Sequence, residues 1–266
     1  MPLAVCATPI GNLADVTLRV LDELGGADTV LCEDTRQTRV LLERHGIKAR
    51  LVSYHRHNEA SRTADLVPRL VAGERMALVS DAGLPGVNDP GARLVAAALA
   101  AGVAVTVLPG PSAVETALVA SGLAGDQYRF VGYIPRGARE RAALWQDLGA
   151  WPHPTVAFES ARRLPATLAS LAAAEPERLV AVCRELTKVF EEVVCETATT
   201  LATRFAEPPK GEVTLVIGPS TRTPDAAAAV AAVIELVASG APRAVAVTVV
   251  SRLTGVARNT LYSNSL

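Results

Sequence analysis

The sequence lacks the cysteine pattern of a metal-binding or disulfide-stabilised protein. Its four cysteines (Cys6, Cys32, Cys183 and Cys195) are far apart along 266 residues, so none forms the close pair typical of a metal site. A chain of this length can bury a hydrophobic core and does not need disulfides for stability. We therefore expect a reduced, cytoplasmic protein that binds no metal.

Long apolar runs and a strong net charge are also missing. The two longest apolar stretches, 94–108 and 226–234, are interrupted by Gly102 or end at Glu235, short of the roughly 18 residues of a membrane span. No basic segment precedes an apolar run at the amino terminus, so we expect no signal peptide. The net charge of −1 argues against non-specific binding to nucleic acid or anionic membranes, although a local basic patch is compatible with it.

Several common site signatures are absent as well. No G-x-G-x-x-G motif follows the first predicted strand, and no P-loop motif occurs anywhere in the chain. Ser112 lacks the second glycine of a nucleophile elbow, so it is a poor nucleophile candidate. His55 and His57 have no evident third ligand, which disfavours a metal site.

Two loops rich in glycine and proline are the main features that the sequence does contain. Residues 80–91 follow the apolar run 76–79 and hold three glycines, two prolines and two aspartates. A similar loop at 109–113 follows the predicted strand 103–108. In open α/β sheets, ligands bind at the carboxyl ends of strands, where these loops lie. Ordinary turns use the same residue types, so that alternative stays open here.

Short apolar runs alternate with segments of helical periodicity over the first half of the chain. This order predicts an α/β fold with a mostly parallel sheet over residues 1–121, in which the first helix spans 13–24. The second half predicts an α/β domain with a mixed sheet over 122–220, including a strand at 189–194. Residues 221–266 predict a small helical tail resembling a helix-turn-helix, which could contact RNA or merely pack on the body.

The glycine and proline loops offer backbone groups to a neutral or zwitterionic ligand. S-adenosylmethionine fits such a site, because its methionine end needs backbone partners and its adenine needs an apolar slot. Methyl transfer then requires mainly alignment of the nucleophile with the methyl group.

Nine stretches, in conserved order over residues 4–218, resemble the tetrapyrrole methylase superfamily, and within it the branch that methylates ribose 2′-hydroxyls of small-subunit rRNA. The matching stretches are 7–13, 32–38, 53–59, 80–91, 109–113, 130–133, 158–160, 183–188 and 211–213. The resemblance implies two α/β domains with S-adenosylmethionine in the cleft between them, and a homodimer. It implies a cytidine in the decoding region of 16S rRNA as the substrate, presented on the small ribosomal subunit.

The resemblance also implies which residues bind the methyl donor. They are Pro9, Gly11, Asp81, Ala82, Gly83, Leu84, Val87, Ser112, Ala113, Phe158 and Leu186. The family usually carries Thr and a β-branched pair where this chain has Leu84 and Gly86-Val87, and we expect binding to survive because most contacts there are with the main chain.

Ribose methylation needs a group that accepts or stabilises the proton of a weakly acidic hydroxyl. The candidates at predicted strand ends are Glu33, Asp34, Glu185 and Lys188, with His55 as a weaker one. The alternative for each is a structural ion pair, Glu33 or Asp34 with Arg36, and Glu185 with Arg184 or Lys188.

Contacts with RNA phosphates need arginine or lysine side chains. The candidates are Arg36, Arg136, Arg139, Arg162, Arg252 and Arg258. The alternative is that these arginines are only solvated side chains on the surface. Two further readings remain open at this point. One is a methyltransferase acting on a corrinoid or porphyrin precursor or on a modified histidine of a protein (diphthine-type). The other is an RNA-binding ribosome-assembly module without catalysis.

Overall fold

The computed structural model describes residues 2–220 and 225–265. Contacts divide the chain into two compact units, Met1–Thr116 with Glu185–Glu192, and Ala117–Arg184 with Val193–Leu266. The first unit therefore includes a short segment that comes from the second half of the sequence. The predicted helical tail starts at residue 221, and its first four residues lie outside the described part of the chain.

Five parallel strands form the sheet of the first unit. The strands are β1 (Leu3–Cys6), β2 (Thr29–Cys32), β3 (Leu51–Ser53), β4 (Met76–Leu78) and β5 (Val105–Leu108). The helices are α1 (Leu18–Gly26), α2 (Thr35–Arg44), α3 (Glu59–Val71) and α4 (Ala92–Ala100), and α5 (Ala113–Ala120) begins in this unit and ends in the second. The strand order is β3-β2-β4-β1-β5, which places β1 between β4 and β5.

Both faces of this sheet are covered, as the lack of alternation in its strands predicts. Leu3 and Val5 of β1 belong to the apolar cluster that contains residues of α3 and α4. Ala4 and Cys6, which point the other way, belong to the cluster that contains residues of α1 and α2. The ends of the central strands and their loops are therefore where a ligand site is expected.

The second unit has a mixed five-stranded sheet, in the order β6-β7-β10-β8-β9. Its strands are β6 (Arg129–Tyr133), β7 (Thr155–Ser160), β8 (Leu179–Arg184), β9 (Glu192–Thr197) and β10 (Glu212–Ile217). The helices between them are α6 (Ala138–Gly149), α7 (Leu164–Ala174) and α8 (Ala198–Arg204). β6 and β7 are parallel, whereas β10 runs antiparallel to both β7 and β8.

The tail consists of three helices, α9 (Ala226–Ala238), α10 (Arg243–Thr254) and α11 (Arg258–Asn264). Val233, Val247 and Leu261, one from each helix, are fully buried in a shared apolar cluster. Gly255, with φ of 75°, ends α10 in the left-handed conformation that glycine adopts without strain. The predicted helix–turn–helix pattern is therefore present in the tail. Within the described residues, no helix combines the length and apolarity needed to cross a membrane.

Three sequence-based element predictions were wrong. The helix predicted at 13–24 is a 3-10 turn at Leu13–Asp15 followed by α1, because Asn12 and Thr17 each cap a separate turn with a side-chain oxygen. The strand predicted at 189–194 begins only at Glu192. Helix α8 was missed, since its threonine-rich sequence has low helix propensity and depends on a cap at Thr197.

Candidate active site

Three loops meet at the carboxyl-terminal edge of the first sheet. They follow β1, β4 and β5, which are adjacent and parallel, so their ends lie side by side. Thr8 and Gly83 exchange backbone hydrogen bonds of 2.8 and 3.0 Å. The Thr8 hydroxyl also donates to the Ser80 carbonyl at 3.0 Å. The loop after β1 is thus fastened to the loop after β4.

Glycine allows these loops to approach one another closely. A Cβ atom at Gly110 would lie 2.9 Å from the Cβ of Ala7, closer than side-chain carbons come in proteins. Gly83 has φ of 76°, which an L side chain rarely adopts, and a Cβ there would lie 3.7 Å from the Pro111 carbonyl oxygen. The loops after β1, β4 and β5 therefore approach one another closely at these glycines.

A fourth loop, Glu185–Glu192, joins this edge. A Cβ at Gly11 would lie 2.6 Å from Cγ of Lys188 and 2.9 Å from Oγ1 of Thr187. The backbone N–H of Asn12 donates to the same Thr187 oxygen at 3.0 Å. Only glycine fits at position 11 without displacing the fourth loop.

The fourth loop is held in a strained conformation. Glu185 and Thr187 have φ of 51° and 65°, in the left-handed region that non-glycine residues avoid. For a β-branched residue such as Thr187 this is a genuine outlier, and such strain collects at functional sites. The Thr187 N–H donates to the Glu191 carboxylate at 2.5 Å, which helps to fix the turn.

Ten of the eleven predicted donor-binding residues lie on these loops of the first unit. They are Pro9, Gly11, Asp81, Ala82, Gly83, Leu84, Val87, Ser112, Ala113 and Leu186. Two contacts join the stretches that contain these residues. One is the Thr8–Gly83 pair, and the other is the close approach at Gly11, where a Cβ would lie 3.0 Å from the Leu186 carbonyl oxygen. The remaining residue, Phe158, lies on β7 in the second unit, where its ring packs against Phe130 and Tyr133.

Three carboxylates with raised pKa values, Glu33, Asp81 and Asp89, follow β2 and β4 at the same edge. Burial raises the pKa of Glu33, and the negative charge of Asp81 raises it further. Burial likewise raises the pKa of Asp89 to about 6, with a contribution from Glu33. The Arg56 guanidinium opposes both shifts without cancelling them. A carboxylate with a raised pKa can accept a proton near neutral pH.

His55 belongs to the same group. Its charge lowers the pKa of Glu33, although less than burial and Asp81 raise it. The buried Nδ1 atom of His55 has no hydrogen-bond partner among the described residues. The described residues contain no cluster of three His, Cys, Asp or Glu suited to a metal ion.

Asp34 has a different environment from Glu33. Its side chain accepts a 2.8 Å hydrogen bond from the Arg36 N–H and caps helix α2. It also forms an ion pair of 2.7 Å with the Arg36 guanidinium, and these bonds lower the pKa of Asp34 to about 2. Asp34 therefore has the contacts of a structural cap, and a carboxylate this acidic is a weak base.

The other two catalytic candidates are joined to each other. Lys188 Nζ lies 2.9 Å from Glu185 Oε1, across one turn of the fourth loop. Both side chains are mostly buried, with 29% and 18% of their surfaces exposed. The structure places this pair on the strained loop beside Gly11.

The predicted RNA-binding arginines divide into two groups. Arg36 is paired with Asp34, so its charge is largely neutralised. The other five are exposed: Arg136, Arg139 and Arg162 in the second unit, and Arg252 and Arg258 on the tail. Sequence reasoning did not include Asp89, Arg56 or Thr187 among the site residues. Of these, only Asp89 gave a sequence signal, as the second carboxylate of the 80–91 loop.

A model of the family described as Tetrapyrrole (Corrin/Porphyrin) Methylases matches residues 2–202. The chain belongs to this family. Ribosomal RNA small subunit methyltransferase I of Mesorhizobium japonicum is 42% identical over 267 residues, covering 99% of this chain and 91% of that protein. The protein of the same name from Escherichia coli O157:H7 is 37% identical over 269 residues, covering 99% and 94%.

Solved structures of this family share the fold at low sequence identity. The methyltransferase CobJ superposes with a TM-score of 0.63 at 19% identity, covering 83% of this chain and 95% of that one. Diphthine synthase gives 0.61 at 15% identity, covering 81% and 89%. Uroporphyrin-III C-methyl transferase from Thermus thermophilus, complexed with S-adenyl homocysteine, gives 0.57 at 19% identity, covering 81% and 96%.

These findings confirm the family and the two-domain fold class predicted from the sequence, and they confirm that the chain is a methylase by family. The donor predicted for it, S-adenosylmethionine, is the methylated form of the compound held by the Thermus thermophilus enzyme.

Proposed function

We propose that this protein transfers a methyl group from S-adenosylmethionine to the ribose 2′-hydroxyl of a cytidine in the decoding region of 16S rRNA. The observation that supports this most is the convergence of three other loops on Ala7–Asn12, with glycine at positions 11 and 110, where a Cβ would block the approach. The relatives named for methylation of small-subunit rRNA match nearly the whole chain, which favours RNA as the acceptor.

The residues at this edge suit the proposed donor. The N–H and C=O of Gly83 are bonded to Thr8, but the exposed Gly11 and Gly110, where a Cβ would collide with a neighbouring loop, keep backbone N–H and C=O groups at this edge. Such groups can hold the amino and carboxylate ends of a methionine moiety, and Ser112 and Ala113 at the start of α5 add two more backbone amides. When bound, S-adenosylmethionine supplies a methyl group on a positively charged sulfur, which is already activated for transfer.

The chain must then orient the ribose hydroxyl and take up its proton. Of the predicted candidates, Glu33 has the environment of a base, because burial and Asp81 raise its pKa. Asp89 shares this environment and extends the candidate set. We assign the Lys188–Glu185 pair the role of positioning, since Lys188 lies against Gly11 and fixes the fourth loop there.

The proposal extends to the partners. The exposed Arg136, Arg139, Arg162, Arg252 and Arg258 would contact rRNA phosphates, while Arg36 would contribute little because Asp34 neutralises it. By its family resemblance the protein would act as a homodimer, in the cytoplasm, on assembled small subunits.

Mass mapping of 16S rRNA tests the acceptor directly. Small subunits from cells lacking the gene should miss one 2′-O-methyl group on a decoding-region cytidine, and the gene restored on a plasmid should return it. Purified protein with methyl-tritiated donor should label these subunits. The same assay with naked rRNA shows whether the protein requires an assembled subunit as its substrate. An unchanged methylation map would contradict the proposal.

The alternative acceptors give distinct outcomes in the same assay. Label on a corrinoid or porphyrin precursor, or on a modified histidine of a protein, would identify a different branch of the family. Uroporphyrin-III-C-methyltransferase from Thermus thermophilus and diphthine synthase are 21% and 15% identical to this chain and share its fold. Calorimetry that detects no binding of S-adenosylmethionine, combined with binding to subunits, would indicate an assembly module instead.

A further inference from the structure

An aromatic ring is exposed at the end of β6 in the second unit. Tyr133 has 59% of its surface exposed, although only 4% of the chain is aromatic. Its ring packs edge-on against Phe158, with centroids 5.6 Å apart. Phe158 in turn packs against Phe130 at 4.9 Å. Phe158 therefore supports the Tyr133 ring directly, and Phe130 supports Phe158.

Three arginines come just after the ends of β6 and β7 in the sequence. Arg136 and Arg139 follow Tyr133 in sequence, and Arg162 follows the end of β7, the parallel neighbour of β6. All three are exposed, and none has an ion-pair or hydrogen-bond partner within residues 2–220 and 225–265. Exposed guanidinium groups without carboxylate partners keep their full charge for a ligand.

Backbone contacts fix the two strand ends together. The Ile134 N–H donates to the Phe158 carbonyl at 3.0 Å, and the Arg163 guanidinium donates to the Ile134 carbonyl at 2.6 Å. Arg162 is the residue next to Arg163, so it is held beside the segment that follows Tyr133.

Two neighbouring arginines, Arg141 and Arg163, do have partners within the fold. Arg163 forms an ion pair with the buried carboxylate of Glu159, and Arg141 donates to the Ser170 hydroxyl at 3.2 Å. Glu140 is the one acidic side chain between residues 133 and 141, and its carboxylate lies against Gly137. The segment therefore keeps an excess of positive charge around an exposed ring.

We propose that Tyr133 is a stacking platform for a nucleobase of single-stranded RNA, with Arg136, Arg139 and Arg162 binding the flanking phosphates. Single-stranded nucleic acids are bound by this combination, in which an aromatic face takes a base and cationic side chains follow the backbone. The inference rests on the proposed rRNA substrate and names how a segment of that substrate is held.

Substitutions at Tyr133 test the stacking role with small subunits as the substrate. Tyr133→Phe and Tyr133→Trp keep an aromatic face and should keep the wild-type KM for subunits. Tyr133→Leu keeps apolar bulk against Phe158 but has no aromatic face, so KM should rise about tenfold while kcat changes little. Calorimetry with S-adenosylhomocysteine should give the wild-type Kd for every variant, which shows that the fold and the donor site are intact.

The arginines are tested by the salt dependence of binding. The log of the binding constant for a single-stranded decoding-region oligonucleotide should fall less steeply with log salt in the triple Arg136→Ala/Arg139→Ala/Arg162→Ala variant. The slope should change by about 2, since each phosphate contact contributes about 0.7 on single strands. Lys48→Ala, an exposed residue between α2 and β3 in the first unit, is the matched control and should change the slope little.

Three results would overturn the proposed roles of Tyr133 and the three arginines. The first is a wild-type KM for Tyr133→Leu, and the second is an unchanged salt slope for the triple variant. The third is a change in sedimentation coefficient with Tyr133→Leu, which would show that the ring lies between two copies of the chain. Oligonucleotide binding is measured without methyl transfer. If only the proposed methylation reaction were wrong, the variants would therefore still differ in binding.

Discussion

The hydroxyl oxygen of Thr187 accepts a 3.0 Å hydrogen bond from the backbone N–H of Asn12, although 175 residues separate them in the chain. This bond fastens the Glu185–Glu192 loop to the loop that follows β1. It forms directly beside Gly11, where a Cβ would collide with both Thr187 and Lys188. The geometry of the candidate active site therefore depends on a glycine and a hydroxyl that no local pattern connects.

Gly11→Ala should weaken binding of the methyl donor. The new methyl group would lie 2.6 Å from Lys188 Cγ and 2.9 Å from Thr187 Oγ1, so the fourth loop must move away. Overpacking of this kind costs about 1–3 kcal/mol, equivalent to a loss of affinity of about 5- to 150-fold when the displaced loop binds the ligand. Calorimetry with S-adenosylmethionine measures the loss.

Gly25→Ala is the control for this substitution. Gly25 lies in α1, and a Cβ there would meet only a side-chain carbon of Ile47 at 4.0 Å. Donor affinity should stay at the wild-type value, and helix stability should rise slightly because alanine is the better helix former. Equal affinities for both alanine variants would contradict the close approach at Gly11.

Thr187→Val should loosen the fourth loop without changing the volume of the side chain at position 187. Valine has the shape of threonine but accepts no hydrogen bond from Asn12. Loss of one such bond costs about 0.5–1.5 kcal/mol, so donor affinity should fall about two- to tenfold. Thr187→Ser keeps the oxygen and should bind the donor as the wild type does, and weak binding by the serine variant would assign the effect to loop strain instead.

The sequence predicted the sheet more fully than the site. The strands of the first unit are continuous apolar runs, because both faces are buried, and glycines end their helices, so the order of elements was readable. The break between Leu13–Asp15 and α1 could not be predicted, because the apolar spacing continues through both segments. The break depends on two separate caps, Asn12 and Thr17.

Long-range contacts explain what the sequence could not show about the site. The loops after β1 and β4 were recognised from their glycines, but their joining through Thr8 and Gly83 depends on strand order. The placing of Glu185 and Thr187 at positive φ is a tertiary effect that overrides the preference of both residues. Asp34 looked like a catalytic carboxylate because its role as a helix cap appears only with the start of α2 at Thr35.

Substitutions at Asp34 separate capping from catalysis. Asp34→Ser keeps a side-chain oxygen that can accept from the Arg36 N–H, whereas Asp34→Ala removes the cap. We expect the alanine variant to melt at a lower temperature and the serine variant to melt close to the wild type, with methyl transfer retained in the serine variant. Loss of turnover in a stably folded Asp34→Ser would return the carboxylate to the catalytic set.

Removal of one partner from a buried ion pair should destabilise the second unit. Arg178 and Glu175 are fully buried, with their side chains 2.8 Å apart, and Arg178 also donates to the Gly218 and Leu148 carbonyls. Arg178→Met would leave the Glu175 charge without this partner, which costs about 3–5 kcal/mol in such sites. Urea unfolding measures the change, and the exposed Arg139→Ala should fall within about 0.5 kcal/mol of the wild type.

Asp89→Asn should stabilise the protein at neutral pH. The pKa of Asp89 in the folded protein is about 6, above the ordinary carboxyl value of 3.8, so the folded state holds this proton more tightly than the unfolded state. The resulting stabilisation is complete below pH 3.8 and is lost as the pH rises through about 6. Asparagine has no proton to lose and avoids the buried charge, so the free energy of unfolding at pH 7 should rise by about 1–2 kcal/mol.

The same variant should transfer methyl groups more slowly if Asp89 helps Glu33 to accept the ribose proton. Wild-type turnover should then rise with pH through about 6, where Asp89 becomes a carboxylate able to accept a proton. Asp89→Asn should lose this rise, and Glu33→Gln should lower turnover across the whole pH range. A variant that is both more stable and fully active, with an unchanged pH profile, would restrict Asp89 to a structural role and leave Glu33 as the carboxylate to test.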